Sequence, residues 1–189
     1  MLIVVRHGRT APNAAGRLLG RADPDLDEEG ERQAVALAEW IGPVDRVVSS
    51  PLTRARRTAA AFGTAVEIDE RWIELDYGEL DLLASSDVPA DVWARWRSDP
   101  DFAPPGGESL AALERRVASA CEELIVAAVE HEIVVVTHVS PIKAALSWAF
   151  GGIERIGFRA RVGQPSISRI AAGPEGPVLH SFNEGLPPT

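Results

Sequence analysis

Two histidines in this sequence each follow a short run of apolar, mostly β-branched residues. His7 follows residues 2–5 and stands directly after Arg6, and His138 follows residues 133–137. Such runs predict buried parallel strands, and open α/β sheets carry out their chemistry at the carboxyl ends of their strands. If the two strands are neighbours, the imidazoles stand side by side. Imidazoles next to an arginine can bind an anion, and a neutral imidazole can attack it as a nucleophile.

A third junction between a strand and a helix lies between the two histidines in the chain. Residues 45–49 predict a strand, Ser50 the N-cap of the next helix, and Pro51 its first residue. Arg54 then falls in the first turn, near the same edge of the sheet. A helix N-terminus offers free backbone N–H groups and the positive end of the helix dipole. Histidines, arginines and a helix start are therefore expected to converge on one anion-binding pocket.

The other patterns that could carry chemistry are weaker. His131 and His138 are seven residues apart, not the four that put two zinc ligands on one helix face. Cys121 belongs to an apolar series with helical spacing, which favours core packing over a role as nucleophile. The sequence has neither a Walker-type loop nor a dinucleotide glycine pattern. We expect no metal and no cofactor, because Arg6 and Arg54 would repel a divalent cation.

Length and composition predict one domain over residues 1–189, with a full hydrophobic core. The net charge of −9 disfavours nonspecific binding of nucleic acid, so an anionic substrate must meet a local group of arginines. The sequence shows no signal peptide, no long apolar run and a single cysteine. We therefore expect a cytoplasmic protein without a membrane segment.

The hydrophobic periodicity predicts strands that alternate with helices, which is typical of a mainly parallel sheet with helices on both faces. The predicted strands are 2–6, 45–49 and 133–137, with a short one near 66–68, and the predicted helices are 28–41, 51–62, 108–130 and 141–149. Residues 166–172 and 178–183 flank a Gly-Pro-Glu-Gly-Pro turn and predict an antiparallel hairpin at the sheet edge. The fold class is α/β.

Residues 79–107 are the least regular part of the sequence, and we expect them to form a small cap-like insertion over the site. A short helix there carries Trp93 and Trp96, with Arg95 and Arg97 between and after them. Together with Phe102, these rings could recognise an organic group or a base. Aromatic residues three apart on a helix more often pack in a core, and we favour packing here.

Five motifs in this sequence resemble, in order, the signatures of the histidine phosphatase superfamily, in its phosphoglycerate mutase-like branch. They span residues 1 to about 150 and are Arg6-His7-Gly8, the segment 49–58, Glu74 followed by Tyr77-Gly78, the segment 105–109, and Thr137-His138. Five matches in order are far more specific than one short motif. The resemblance implies a phosphoglycerate mutase-like three-layer α/β sandwich.

The resemblance also implies a mechanism. His7 would attack phosphorus as a neutral imidazole and form a phosphohistidine, with its other ring nitrogen donating to a carbonyl near Gly8. Arg6, Arg54 and a protonated His138 would stabilise the charge on the phosphoryl oxygens. Glu74, three residues before Tyr77-Gly78, would protonate the leaving oxygen and later activate water, with Asp76 and Glu79 as nearby alternatives.

Further positions match residues that bind substrate in relatives. We expect contacts from Thr10, Asn13, Gly20, Tyr77, Ser109 and the backbone N–H of Val139, with Glu108 at the rim. Val139 stands where relatives usually have glycine, Arg9 replaces a glutamate, and residues 79–82 replace a Trp-Glu-Gly ending. These departures leave the catalytic set intact and make the identity of the substrate harder to predict.

We expect a metal-independent phosphomonoester hydrolase that acts on a small phosphorylated metabolite, as a monomer or homodimer. A cofactor-dependent phosphoglycerate mutase is the alternative, but mutases carry a longer segment after Tyr-Gly with a lysine and an arginine pair. In this chain the only lysine or arginine residues between Gly78 and Pro104 are Arg95 and Arg97. Leu19 also replaces a serine used by mutases. A catalytically silent phosphate-binding protein is the other alternative; it predicts a lost catalytic residue, and none is missing.

Overall fold

The structure, a computed structural model, describes residues 1–153 and 156–186. Within these residues six strands form one sheet in the order β3-β2-β4-β1-β5-β6. The first four run parallel to one another, and β5 and β6 form an antiparallel hairpin beside β1. The strands are β1 (Leu2–Arg6), β2 (Arg46–Ser49), β3 (Val66–Ile68), β4 (Ile133–Thr137), β5 (Ser166–Gly173) and β6 (Gly176–Glu184). The expected α/β fold with a mainly parallel sheet and an antiparallel edge is confirmed.

Helices cover both faces of this sheet. They are α1 (Ala11–Ala14), α2 (Glu28–Ile41), α3 (Thr53–Ala60), α4 (Ala90–Ser98), α5 (Leu110–Ala127), α6 (Val139–Ala149) and α7 (Ile156–Arg159). Because strand side chains alternate between faces, Ile3 and Val5 pack with α2 and α3, whereas Leu2 and Val4 pack with α5 and α6. Cys121 of α5 is buried in the core that contains Leu2 and Val4, as its helical spacing predicted. Burial raises the pKa of its thiol.

Three helix starts differ from the sequence predictions, and one of them is that of α5, which begins at Leu110 rather than at the expected 108. The expected N-cap at Ser50 and first helical residue at Pro51 are wrong, since α3 begins at Thr53. Ser50 is still tied to the sheet, because its N–H donates to the carbonyl oxygen of Val136 at 3.0 Å. The start of α3 is capped across the chain by Asp23, whose carboxylate accepts from the N–H and the hydroxyl of Thr53. Helix α6 begins at Val139, two residues earlier than expected.

The aromatic residues of segment 79–107 pack mostly against one another. Trp96 is buried, and its ring meets those of Tyr77, Trp93 and Phe102 at centroid distances of 5.8, 5.5 and 6.2 Å. The guanidinium of Arg95 lies 4.1 Å over the Phe102 ring. For Trp96 and Phe102 the preference for packing over ligand recognition is therefore confirmed.

Two expectations about the whole chain remain. The predicted single domain over 1–189 stays a prediction, and it includes residues 154–155 and 187–189, which lie outside the described residues. Across the described ranges, none of the helices combines the length and apolar character that crossing a membrane requires.

Candidate active site

The two histidines meet at the carboxyl edge of the sheet. Arg6 of β1 pairs in register with Thr137 of β4, so the next residues, His7 and His138, stand side by side. Their ring centroids are 5.0 Å apart, with an angle of 59° between the ring planes. Both side chains are almost completely buried. The parallel register thus brings together two residues that are far apart in the chain.

The His7 ring is fixed in one orientation by its own backbone. Its Nδ1 lies 2.6 Å from the carbonyl oxygen of Gly8, an acceptor, so Nδ1 carries the proton and Nε2 keeps its lone pair. The Gly8 N–H donates to the Thr58 hydroxyl at 3.0 Å, and that hydroxyl donates to the Arg54 carbonyl at 2.8 Å. A side chain at position 8 would collide with the backbone of Gly30. Glycine therefore allows the close packing that holds the imidazole.

Arg54, in the first turn of α3, is completely buried and bound to backbone carbonyls. Its Nη1 and Nη2 donate to the carbonyl oxygens of Ala22 and Gly20, both at 2.8 Å, and its Nε lies 3.3 Å from Nδ1 of His138. The carboxylate of Asp81 accepts from the N–H groups of the same two residues at 2.7 Å. This arrangement fixes the guanidinium beside the histidine pair.

Arg6 supplies the second guanidinium. Its Nη1 donates to the carbonyl oxygens of Val162 and Gly163 at 3.1 Å. Within the part of the chain that the structure describes, its buried Nε has no hydrogen-bond partner. Burial lowers the pKa of Arg6 to about 10, and the nearby Glu74 opposes that change. The side chain therefore stays cationic near neutral pH.

Both imidazoles are neutral in the free site. Burial lowers the pKa of His7 well below its ordinary value, and the positive charges of Arg54 and Arg6 lower it further. The pKa of His138 is lowered in the same way, by burial first and Arg54 second. A protonated His138 was expected beside a phosphoryl group, and that expectation stays a prediction. Its Nδ1 accepts from Arg54, which leaves Nε2–H to donate to the Ser50 hydroxyl at 2.7 Å.

Glu74 lies at the N-terminus of α6. Its Oε1 accepts from the N–H groups of Leu75 at 2.7 Å and of Ser140, the second residue of α6, at 3.2 Å. Only 3% of the residue is exposed. These two N–H groups hold the carboxyl group in position. The acid predicted from the motif is therefore anchored at the edge of the sheet that carries the histidines.

Arg116 of α5 holds the backbone that carries this carboxylate. Its guanidinium donates to the carbonyl oxygens of Arg71, Ile73 and Glu74 at 2.6, 2.7 and 3.2 Å. Glu108 accepts two hydrogen bonds from the same guanidinium, both at 2.8 Å. Sequence reasoning missed Arg116 because it belongs to no motif, and Glu108, expected at the rim, pairs with it.

The expected substrate-binding residues are arranged in two groups. Thr10 caps α1 and donates from its hydroxyl to Oδ1 of Asn13 at 2.9 Å. Gln164 also donates to that oxygen at 2.9 Å, and its Nε2 lies 3.4 and 3.3 Å from the carbonyl oxygens of His7 and Gly8. Gln164 was not predicted, since it stands in a loop without a signal. These three polar side chains surround the His7 backbone.

The second group lies on the Glu74 side. The Tyr77 hydroxyl is 3.4 Å from the Ser140 hydroxyl, and burial raises the pKa of Tyr77, so the phenol keeps its proton. Val139 is the first residue of α6, where backbone N–H groups lack partners within the helix. Ser109 is engaged as the N-cap of α5, with its hydroxyl accepting from Ala112. Gly20 contributes its carbonyl to Arg54, as described above.

The arrangement as a whole suits a tetrahedral anion. The charges of both guanidiniums act on both imidazoles, and the charge of Glu74 acts on both guanidiniums. In residues 1–153 and 156–186, no group of three His, Cys, Asp or Glu side chains is placed to hold a metal ion. The site can offer a nucleophilic nitrogen, cations for developing charge and a carboxyl group for proton transfer.

Comparisons with known proteins were made for the whole chain. The family model described as histidine phosphatase superfamily (branch 1) matches residues 2–185. A protein of Mycobacterium tuberculosis described as bifunctional is 34% identical over 177 residues, or 88% of this chain. The match covers 49% of that relative, so the chain spans about half of its length.

Two further relatives have named activities. Phosphoserine phosphatase 1 of Hydrogenobacter thermophilus is 36% identical over 156 residues, covering 76% of this chain and 72% of that protein. The crystal structure of a phosphoserine phosphatase from Entamoeba histolytica, in complex with 3-phosphoglyceric acid, superposes with a TM-score of 0.89. It is 27% identical and the match covers 97% of this chain and 96% of that one.

Proposed function

The chain belongs to the histidine phosphatase superfamily (branch 1), and on that premise we propose that it is a metal-independent phosphomonoester hydrolase. The observation that carries the proposal is the orientation of His7. Its Nδ1 is bound to the Gly8 carbonyl, which leaves the lone pair on Nε2, while the His138 ring lies 5.0 Å away and the charges of Arg54 and Arg6 act on the imidazole. A nitrogen with an available lone pair beside two cations is suited to attack a phosphoryl group.

In the first half of the reaction, Nε2 of His7 bonds to phosphorus while the bond from phosphorus to the ester oxygen breaks. The departing alkoxide takes a proton from the carboxyl group of Glu74, which becomes a carboxylate. Proton donation matters because an alkoxide is a poor leaving group near neutral pH. The products of this half are the free alcohol and a phosphohistidine.

In the second half, water attacks the phosphohistidine. The Glu74 carboxylate takes a proton from the water, the bond from phosphorus to Nε2 breaks, and inorganic phosphate leaves. His7 returns to its neutral form and Glu74 to its protonated form. Arg6 and Arg54 stabilise the charge on the phosphoryl oxygens in both halves, and because each is tied to backbone carbonyls, little reorganisation is needed.

Substrate binding changes the charge state of His138. The dianion of a phosphate ester offsets the repulsion from Arg6 and Arg54 that lowers the pKa in the free site. His138 then takes up a proton on Nδ1, which gives up its hydrogen bond from Nε of Arg54, and becomes a third cation around the phosphoryl group. The Ser50 hydroxyl at 2.7 Å is free to accept from its Nε2–H in either state.

The remaining polar residues divide between the two sides of the ester. Asn13, held by Thr10 and joined by Gln164, contacts the phosphoryl oxygens, and the N–H of Val139 at the start of α6 does the same. Gly20 acts through Arg54, while Tyr77 borders the alcohol. Ser109 acts through the position of α5. A small phosphorylated metabolite is the substrate class, and the cytoplasmic location and monomeric or dimeric state stay predictions from the sequence.

Phosphate release from p-nitrophenyl phosphate in the presence of EDTA tests this proposal. We expect turnover that EDTA does not abolish, and an acid-labile phosphoryl group on the protein that is absent from His7→Ala. Binding of phosphate without any turnover between pH 5 and 8 would instead identify a silent binding protein.

Hydrolysis is favoured over mutase activity because the insertion lacks a carboxylate-binding pair of arginines. Arg95 is stacked on Phe102, and Arg97, the other arginine of α4, is exposed to solvent. Incubation with 3-phosphoglycerate and a bisphosphoglycerate primer decides between the two activities. We expect release of phosphate, and formation of 2-phosphoglycerate exceeding that release would contradict the proposal.

A further inference from the structure

A cavity of about 640 Å³ lies between α4, α5, α6 and α7. It extends along α6 from Val139 and Ser140, at the sheet edge, to Ser147 two turns further along the helix. Its wall is mostly apolar and includes the rings of Trp93, Trp96 and Phe158. A volume of this size is typical of sites for organic ligands of moderate size. None of the catalytic steps above uses it.

The cavity begins at the proton donor. Leu75 and Ser140 both line it, and their N–H groups are the ones that bind the Glu74 carboxylate. The leaving oxygen of the substrate must come within hydrogen-bond distance of Glu74 to be protonated. The carbon attached to that oxygen then stands at the entrance of the cavity. The rest of the alcohol can then extend into the cavity.

Resting on the hydrolase function proposed above, we propose that the cavity holds the alcohol part of the ester and selects an apolar alcohol, aromatic or long-chain alkyl. The Trp93 and Phe158 rings meet edge to face at 6.4 Å, which leaves apolar ring surface on the wall. Such surface gains from contact with an apolar group. The hydroxyls of a sugar would lose their hydrogen bonds to water there without replacement.

Three charged side chains line the cavity: Arg97 is exposed to solvent, and the two poorly solvated ones, Lys143 and Glu114, fit this assignment. The Lys143 ammonium donates to the carbonyl oxygen of Gly157 at 2.7 Å, and burial lowers its pKa. Burial raises the pKa of the Glu114 carboxyl. Both groups are poorly solvated, so the cavity is a less polar medium than water. An ester that carries a carboxylate would pair with the Lys143 ammonium. O-phosphoserine is such an ester, so it is the informative competitor.

A series of primary alkyl phosphates tests the assignment. Ethyl, butyl, hexyl and 3-phenylpropyl phosphate have leaving groups of nearly equal pKa, so differences in kcat/KM report contacts with the alcohol rather than its chemical reactivity. We expect kcat/KM to rise about two- to fourfold for each methylene buried. O-phosphoserine should be a poorer substrate than hexyl phosphate.

A substitution at Gly157 separates the cavity from the catalytic groups. Gly157 lines the cavity, and a Cβ there meets only the Leu110 Cδ1 at 3.8 Å, an ordinary contact. Gly157→Leu should fill part of the cavity and lower kcat/KM about tenfold or more for hexyl and 3-phenylpropyl phosphate, with ethyl phosphate nearly unchanged. Gly185→Leu, at a glycine with open space after β6, is the matched control and should change neither.

The outcomes distinguish this inference from the function on which it rests. Release of phosphate with a flat series, or with O-phosphoserine preferred, would overturn the apolar assignment and leave the hydrolase standing. Alkylphosphonates, which cannot be hydrolysed, give a second measurement by calorimetry. Tighter binding with chain length but no turnover of any ester would support the cavity assignment and overturn the hydrolase. No turnover and no dependence on chain length would overturn both.

Discussion

The site has two ends that are built on different principles. The phosphate end consists of His7, His138, Arg6 and Arg54, and the leaving-group end consists of Glu74, Tyr77 and the cavity along α6. At the phosphate end every side chain is polar or charged, and each is held by a hydrogen bond. At the leaving-group end one carboxylate borders a wall of mostly apolar side chains.

This difference separates activity from specificity. A phosphoryl group is the same in every phosphomonoester, so rigid, preorganised cations can serve any of them. The alcohol differs from one ester to another, and its recognition depends on the shape and polarity of the cavity. Changes at the phosphate end should therefore affect all substrates alike, whereas changes at the leaving-group end should depend on the alcohol.

The largest effect is expected from His7→Ala. Loss of the nucleophile should lower kcat by at least about a thousandfold for every ester, whatever its alcohol. Phosphate release measured across the alkyl series checks this. Binding of alkylphosphonates should keep its dependence on chain length, since the cavity is untouched. A variant that still turns over good leaving groups would contradict the role of His7.

Glu74→Gln, by contrast, should lower the activity by an amount that depends on the leaving group of the ester. Loss of the proton donor should lower kcat/KM about 10²- to 10⁴-fold for alkyl phosphates, whose leaving groups need protonation. The loss should be about tenfold or less for p-nitrophenyl phosphate, whose leaving group departs as a stable anion. Rates with a series of substituted phenyl phosphates give the dependence on leaving-group pKa. Equal losses for good and poor leaving groups would count against Glu74 as the acid.

The free energy of unfolding of the free protein should depend on pH through the two histidines of the phosphate end. His7 and His138 have a pKa lowered by burial, so between pH 6.5 and their folded pKa the unfolded chain binds more protons than the folded one. The free energy of unfolding should therefore fall as pH falls below 6.5, by about 1.4 kcal/mol per pH unit for each histidine. Above pH 6.5 this contribution is constant.

Urea unfolding between pH 5 and 7.5 measures this dependence. His7→Gln should remove about half of the slope, and added phosphate should reduce it in the parent protein because the anion offsets the cations. The carboxyl groups with lowered pKa, such as those of Asp27 and Asp69, titrate below this range. A free energy of unfolding that stays constant from pH 7.5 to 5 would contradict neutral, buried imidazoles.

The smallest effect is expected from Arg116→Met, which tests the support of the leaving-group end. Arg116 is a positioning residue, since it binds the carbonyls of residues 71, 73 and 74. Its loss should lower kcat/KM about tenfold for alkyl phosphates and less for p-nitrophenyl phosphate. Arg32→Met, which removes an exposed arginine paired with Glu29, is the control. An equal loss for both substrates would point to a general structural effect.

Sequence alone predicted the phosphate end in most of its parts. His7, Arg6 and His138 end two strands whose β-branched runs are easy to recognise, and parallel pairing brings such ends together. The neutral state of His138 in the free site could not be predicted, because a pKa depends on burial and on both neighbouring guanidiniums. The predicted helix cap at Ser50 was also wrong. The Ser50 hydroxyl is bound to His138, which lies 88 residues later in the chain, and local sequence does not signal such a contact.

At the leaving-group end the sequence predicted the motif residues Glu74 and Tyr77. The groups that surround them come from helices whose relative placement follows no local pattern. Arg116 acts here on backbone atoms distant in sequence, as Asp81 and Gln164 do at the phosphate end, and no periodicity signals such contacts. The cavity also depends on how α4 and α7 pack, which is a property of tertiary structure.

The buried thiol of Cys121 has a practical consequence. Reactive cysteines are exposed thiolates, whereas this sulfur lies inside the core of α5, and burial raises its pKa. The nucleophile proposed for the site is a nitrogen, which peroxide does not convert to a sulfenic acid. Enzymes that depend on a catalytic thiolate lose activity under oxidants and alkylating agents. Catalysis by this chain should instead persist in peroxide or iodoacetamide, without a reducing agent in the buffer.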